Sequence, residues 1–169
     1  KGLQDLLVVC GSGPLLFLNQ GNGKFSLKRD AFQFARPPQG TFTHAALADY
    51  DGDGRLDVYF CLYSYYLGLN QYQYPAPYFD ARNGPPNFLM HNDGNATFLD
   101  RTEAAGLNAE NNRYSFACAW GNFNSSGSPD LYVANDFGRS NLYRNDGAGK
   151  FTAVSAEAGV EDVGAGMSA

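Results

Sequence analysis

The sequence predicts an all-β fold, a β-propeller segment built from four-stranded antiparallel blades. Two recurring motifs carry this, and an aspartate-rich loop between strands supports it. The first motif is an Asn-Gly hairpin. Leu18-Asn19-Gln20-Gly21-Asn22-Gly23-Lys24-Phe25 matches Arg144-Asn145-Asp146-Gly147-Ala148-Gly149-Lys150-Phe151, and His91-Asn92-Asp93-Gly94-Asn95-Ala96-Thr97-Phe98 is a third copy. An apolar run, an Asn/Gly turn and a second run opening on Phe form a β-hairpin signature. The second motif is a strand led by Asp. Asp5-Leu6-Leu7-Val8-Val9, Asp57-Val58-Tyr59-Phe60-Cys61 and Asp130-Leu131-Tyr132-Val133-Ala134 are its copies.

Two copies are preceded by small-residue strands, Thr43–Ala48 and Phe116–Gly121. Each unit therefore reads as a small-residue strand, an Asp-rich loop, an Asp-led strand, a connection, an apolar strand, a turn and a Phe-led strand. Asp5 and Asp57 are 52 residues apart, and Asn92 and Asn145 are 53 apart. Four short strands repeating at that period are the mark of propeller blades. The repeat divides the chain into residues 1–35, the end of one blade; 36–107, a blade interrupted by an insert at 62–86; 108–160, a second blade; and 161–169, the start of another. Open at both ends, such a segment would expose unpaired strand edges, so the repeat points to a larger propeller. A small open sheet of hairpins is the alternative that the regular order disfavours.

Composition fits this reading. The 169 residues carry a net charge of −5, with 17% charged and 15% aromatic side chains and 20 glycines. The acidic balance argues against a nucleic-acid partner, which needs a basic face. No apolar run is long enough to cross a membrane. Cys10, Cys61 and Cys118 lie far apart without metal-site spacing. They read as small buried strand residues, with a disulfide between two of them as the other possibility.

The loop Asp49-Tyr50-Asp51-Gly52-Asp53-Gly54-Arg55-Leu56-Asp57 carries the chemistry. Asp49, Asp51, Asp53 and Asp57 stand at positions 1, 3, 5 and 9, Gly54 permits a sharp turn at position 6, and Arg55 offers a backbone carbonyl at position 7. Alternate side chains converge as such a loop curls, and hard oxygen donors suit Ca²⁺. Without a cation the carboxylates repel one another. The corresponding loop of the next unit holds Asn122, Asn124, Ser126, Ser128 and Asp130, and its formal charge falls from −4 to −1. Calcium affinity follows ligand charge, so this second site is expected to be weak or empty. The truncated first copy has Lys1 beside Asp5, and no metal is assigned there. Strands follow these loops, so calcium is expected to lock a turn rather than throw a switch.

These residues resemble FG-GAP repeats, the blades of integrin α-chain propellers and of bacterial VCBS-type proteins, in the motif Asp-x-Asp-x-Asp-Gly-x-x-Asp between two strands. The sequence is most similar to the cartilage acidic protein-like family with an ASPIC/UnbV region, through Asn141–Phe151 followed by Ala158-Gly159-Val160, and through Asn92–Phe98 followed by Ala105-Gly106-Leu107. The first unit lacks that ending and has Phe32-Gln33-Phe34 nearby. The resemblance implies a seven-bladed propeller in a secreted or cell-surface protein, periplasmic or on the outer surface if bacterial. It implies no single activity.

The insert is rich in tyrosine, with Tyr63, Tyr65, Tyr66, Tyr72, Tyr74 and Tyr78, and is stiffened by Pro75, Pro77, Pro85 and Pro86. It joins the second and third strands, whereas the calcium loop joins the first and second, so the two lie on opposite faces. Long loops on rigid scaffolds carry binding, and tyrosine suits sugars and proteins. Packing on a neighbouring blade or another subunit is the equal alternative. His44 and His91 have no Ser or Cys partner in a recognisable arrangement and read as ordinary strand residues. Gly11-Ser12-Gly13 lacks the spacing of a nucleophile elbow. No catalytic residue is assigned. Asn95-Ala96-Thr97 and Asn124-Ser125-Ser126 fit the N-glycosylation pattern. The function expected is a calcium-stabilised, non-catalytic extracellular module that binds proteins, glycans or copies of itself. The alternatives are a propeller domain of a polysaccharide-active enzyme and a structural subunit of a surface layer or filament.

Overall fold

A computed structural model describes residues 2–68 and 71–169; the side chains of residues 66–72, including Tyr66 and Tyr72 of the insert, lie outside what it describes. Among the described residues the protein is all-β, in three sheets that are antiparallel except at one short edge strand. The first contains β1 (Leu6–Cys10), β2 (Gly13–Gly21) and β3 (Lys24–Lys28). The second runs through β5 (Gly40–Ala48), β6 (Asp57–Gly68), β8 (Phe88–Asn92) and β9 (Phe98–Asp100). Two short strands attach to it, with β4 (Phe32–Gln33) parallel to β9 and β7 (Gln71–Tyr72) antiparallel to β6. The third is β10 (Tyr114–Gly121), β11 (Asp130–Asp136), β12 (Asn141–Asn145) and β13 (Phe151–Ala153) in sequential order. A single helical turn, α1 (Ser155–Ala158), follows.

The sheets stack as blades, and the strand pleat explains how. Alternate residues of β6 enter two different cores. Val58, Phe60 and Leu62 pack toward the first sheet with Leu16, Phe42, Phe88, Met90 and Phe98. Tyr59 and Cys61 pack toward the third with Leu89, Cys118, Leu131, Val133 and Tyr143. A strand buried on both faces reads as a continuous apolar run, which is what Val58–Leu62 shows. The first sheet has the same alternation, but Leu6, Leu15, Phe25 and Leu27 lie 39–47% exposed on its outer face. Their counterparts in the other two sheets, among them Leu131, Phe98 and Phe151, are buried.

The connection leaving each blade covers the outer edge of the next. The Phe98 amide donates to Ala31 O at 2.7 Å, and the Phe151 amide donates to Ala105 O at 2.8 Å. Gly106 passes so close that a Cβ there would lie 2.7 Å from Phe151 O. The first unit thus makes the same edge contact without an Ala-Gly-Leu ending, because the contact uses a backbone carbonyl. Phe32–Gln33, on the first unit's side of a boundary at residue 35, is hydrogen-bonded to the second sheet.

One hydrogen-bonded clamp joins the two sequence motifs in every blade. Asp5, Asp57 and Asp130 accept the amides of Asn19, Asn92 and Asn145 at 2.7, 2.7 and 2.8 Å. Each Asn side chain then donates to the carbonyl just before its Asp, at Gln4, Leu56 and Pro129. Each Asn Oδ1 also accepts the glycine amide two residues on, at Gly21, Gly94 and Gly147. Asn145 reaches further, donating at 2.8 Å to Tyr50 O in the preceding blade.

Replacing Asn145 by Ala leaves these buried groups without partners and should destabilise the protein by about 2–4 kcal/mol. In circular-dichroism melts this is a fall of roughly 5–15 °C. Asn92→Ala, whose bonds stay within one blade and are more exposed, should lose about 1 kcal/mol.

Candidate metal centre

The loop between β5 and β6 curls around its own carboxylates. Asp49 Oδ1 accepts the amides of Gly52 and Asp53 at 2.8 and 3.0 Å, and its Oδ2 accepts Gly54 at 2.9 Å. Asp51 accepts the Asp53 amide and Asp53 accepts the Arg55 amide. Gly52 and Gly54 take φ of 76° and 85°, the left-handed region that glycine enters most readily. Asp49, Asp51 and Asp57 each bring a carboxylate oxygen within 4.8 Å of the others. Asp53 turns to the rim, where it pairs with the Arg55 guanidinium. Arg55 Nε is held by Asn92 O at 2.6 Å.

A second grouping shares Asp51. Its carboxylate and that of Asp53 both lie 3.2 Å from His91 Nε2, and the three could hold a metal together. His91 is therefore part of the loop's surroundings, not an ordinary strand residue. The sequence offered no sign of this, because β8 brings His91 to the loop from 38 residues away. The two groupings differ in chemistry. Three carboxylates form an all-oxygen set suited to a hard cation, whereas imidazole favours borderline metals. The all-oxygen set of Asp49, Asp51 and Asp57 fits calcium, which would neutralise the carboxylates and hold the turn closed.

Asp57 does two jobs. It is fully buried and accepts amides from Asn92 and Tyr50, the latter at 3.3 Å. Burial pushes its carboxyl up to about 6, with Asp51 adding repulsion and the two amides opposing. Asp53 is held below the usual carboxylate range: desolvation opposes this, and the Arg55 amide, the Arg55 charge and His91 outweigh it. In the third blade Asp130 repeats the clamp, accepting Phe123 and Asn145 amides at 3.1 and 2.8 Å. Asn124 Oδ1 accepts the Ser126 amide and Ser126 Oγ the Ser128 amide, so that loop is tied by its own side chains. No grouping of three acidic, His or Cys ligands occurs there among the described residues.

The third blade's hairpin turn sits on the metal loop. Gly149, with φ of 74°, comes so near that a Cβ would lie 3.0 Å from both Asp51 Cβ and the Tyr50 ring. Tyr50 is buried against Phe151, with ring centroids 5.9 Å apart. On the opposite face the insert crosses to the third blade. Tyr63 OH donates to Asp136 at 2.5 Å, the Ala81 amide donates to Phe137 O at 2.7 Å, and buried Arg113 pairs with Asp80 at 2.7 Å. Tyr74, Tyr78 and Phe79 stay 87%, 71% and 73% exposed.

Stacked four-stranded blades with an aspartate loop between their first two strands define a propeller-type repeat protein. Residues 1–60 match the family model of the FG-GAP-like repeat. It is also similar to cartilage acidic protein 1 of Mus musculus, with 39% identity over 64 residues. That alignment covers 38% of this chain and 10% of the mouse protein.

Asp51→Ala should lower calcium affinity at least about tenfold and cancel the calcium-induced rise in melting temperature, because ligand charge sets affinity. His91→Ala should leave affinity within about threefold if the all-oxygen set binds. Calorimetric titration reads both, and the reverse ranking would assign the metal to the His91 grouping. The pH dependence follows from Asp57. Its folded pKa lies above the unfolded value of about 3.9, so its contribution to calcium-free stability is full below that value and is lost as pH rises through about 6. Calcium displaces the same proton, so the thermal shift it gives should shrink as pH falls from 7 to 5.

Proposed function

We propose that this chain is part of a calcium-stabilised, non-catalytic extracellular propeller that binds a protein or glycan on the face opposite its metal loop. The observation that carries this reading is the convergence of Asp49, Asp51 and Asp57 on the turn between the first two strands of a blade. Calcium at about millimolar concentration is an extracellular condition, and modules built for it use loops of this kind. The exposed apolar face of the first sheet supports a larger array, in which another blade covers Leu6, Leu15, Phe25 and Leu27. No helix among the described residues is long and apolar enough to cross a membrane.

The binding face is assigned from the insert. Its inner part is anchored to the third blade through Tyr63, Asp80 and Ala81, which holds the rest in place. Tyr74 and Phe79, with the exposed side of Tyr78, whose ring lies 5.0 Å from that of Phe137, are left to stack on a sugar ring or fill a protein contact. Packing and presentation are thus divided along one segment. The residues gathered at the loop are cation ligands and turn donors, and they position no nucleophile.

Replacing Tyr74, Tyr78 and Phe79 together by Ala should leave calcium affinity unchanged and cost only about 1 kcal/mol of stability, through the lost Tyr78–Phe137 contact. Binding to glycan arrays or extracellular-matrix proteins should fall at least about tenfold, in line with loss of aromatic anchors. Binding that survives this triple change but is lost in Asp51→Ala would move the functional surface to the metal face.

A further inference from the structure

Three side chains that the metal centre does not use meet between the second and third blades. His44 pairs directly with Cys61 across β5 and β6, so both present to the same face of the sheet. That face packs on β10, which carries Cys118. His44 Nδ1 is 3.4 Å from Cys118 Sγ and accepts the Cys118 amide at 3.3 Å. Cys61 and Cys118 lie in the same buried core cluster. Both are free and only 0% and 3% exposed.

Packing alone does not demand these residues. The repeat aligns Cys61 with Val9 and Ala134, Cys118 with Ala45, and His44 with Ala117. At the boundary between the first and second blades the corresponding pair is Val9 and Ala45, which pack as plain apolar residues. Two thiols and an imidazole at the next boundary therefore add chemistry to a contact that the fold makes without them.

We propose that Cys61 and Cys118 form a disulfide between neighbouring blades, with His44 taking the proton from the attacking Cys118 thiol. A low-molecular-weight disulfide is the oxidant. Cys118 gives its proton to His44 and its thiolate attacks one sulfur of the reagent, breaking the reagent's S–S bond and releasing a thiolate that is protonated from solvent. Cys61 then attacks Cys118 Sγ, breaking the mixed disulfide, and its proton passes to the departing reagent thiolate, which leaves as the second reagent thiol. Two protein thiols are oxidised to one disulfide and one reagent disulfide is reduced to two thiols. The order of attack follows from the surroundings. The neighbouring Cys61 thiol and His44 hold the Cys118 thiol below its ordinary value, whereas burial pushes Cys61 well up. His44 is half-buried, so the reagent reaches the pair from its side.

The test uses this chain, purified reduced and equilibrated with glutathione disulfide, then alkylated, unfolded and peptide-mapped. The expected result is one Cys61–Cys118 cross-linked peptide, an alkylated Cys10, and a melting temperature higher by roughly 5–15 °C and reversed by dithiothreitol. Cys61→Ser and Cys118→Ser should each lose the cross-link and the thermal gain. If either variant fails to fold, the wild-type peptide map decides alone. His44→Gln should reach the same cross-link at least about tenfold more slowly. Three alkylated thiols, glutathione retained on Cys118, or a bridge through Cys10 would overturn the disulfide. An unchanged rate in His44→Gln would overturn the role of His44.

Discussion

The fold depends on an aspartate, buried in the second and third blades, that ties two backbone segments together at the start of a strand. In each blade this Asp accepts the amide of the hairpin Asn, and that Asn returns its side chain to the carbonyl preceding the Asp. The exchange fixes the second strand against the third-to-fourth turn. A charged acceptor makes stronger bonds than a neutral one, and losing it would orphan amides in a buried setting. In the second and third blades it also accepts an amide from the loop before it, at Tyr50 and Phe123. The loop, the strand and the turn are therefore set by one side chain. This explains why Asp130 stands in a loop whose other acidic positions have become Asn and Ser.

That clamp separates two properties that a motif search merges. The ninth position of the loop reports the blade, and the first and third positions report the cation. Asp57 serves both, and its raised pKa is the consequence: a carboxylate buried for the fold lies beside Asp51 in a site that holds excess negative charge until a cation arrives. Asp130 serves only the fold. Calcium bound there, as proposed, would be an addition to a turn that hydrogen bonds already shape. The addition has reach, because Gly149 and Asn145 of the next blade seat directly on Tyr50 and Asp51. Order in the loop is order in the contact between blades.

Much of this was legible in the sequence, for a physical reason. Blades, hairpins and the metal loop are local, and a repeat displays local rules several times over. The Asp-led strands and Asn-Gly turns were visible in this way, as was the strand order. What joined them was not, since a hydrogen bond between Asp57 and Asn92 spans 35 residues. The same holds for His91, carried to Asp51 and Asp53 by β8, and for His44, which meets Cys118 only when two blades stack. Single histidines in strands carry no local pattern, so their partners emerge only from register and stacking. The insert was legible as a long, tyrosine-rich connection. Its division into an anchored part and an exposed part rests on Asp80, Ala81 and Arg113, none of which its composition singled out.

The departures from the repeat locate what is particular to this chain. Where a blade position keeps its type, as with the clamp or the alternating apolar residues of the central strands, the architecture accounts for it. Where the type changes and the packing does not, architecture is no longer a sufficient reason. Cys61 and Cys118 replace residues that pack as Val9 and Ala45 one boundary earlier, and His44 stands where the next blade has Ala117. Asp49, Asp51 and Asp53 stand where the next loop has Asn122, Asn124 and Ser126. Both changes concern the second blade and its boundary with the third, and the insert crosses that same boundary from the opposite face. The proposed cation site, the thiol pair and the insert thus converge on one junction. Held by all three, that junction would give the rigid support that the proposed binding surface at Tyr74, Tyr78 and Phe79 requires, because a surface that binds through aromatic contact loses affinity when it must first be ordered.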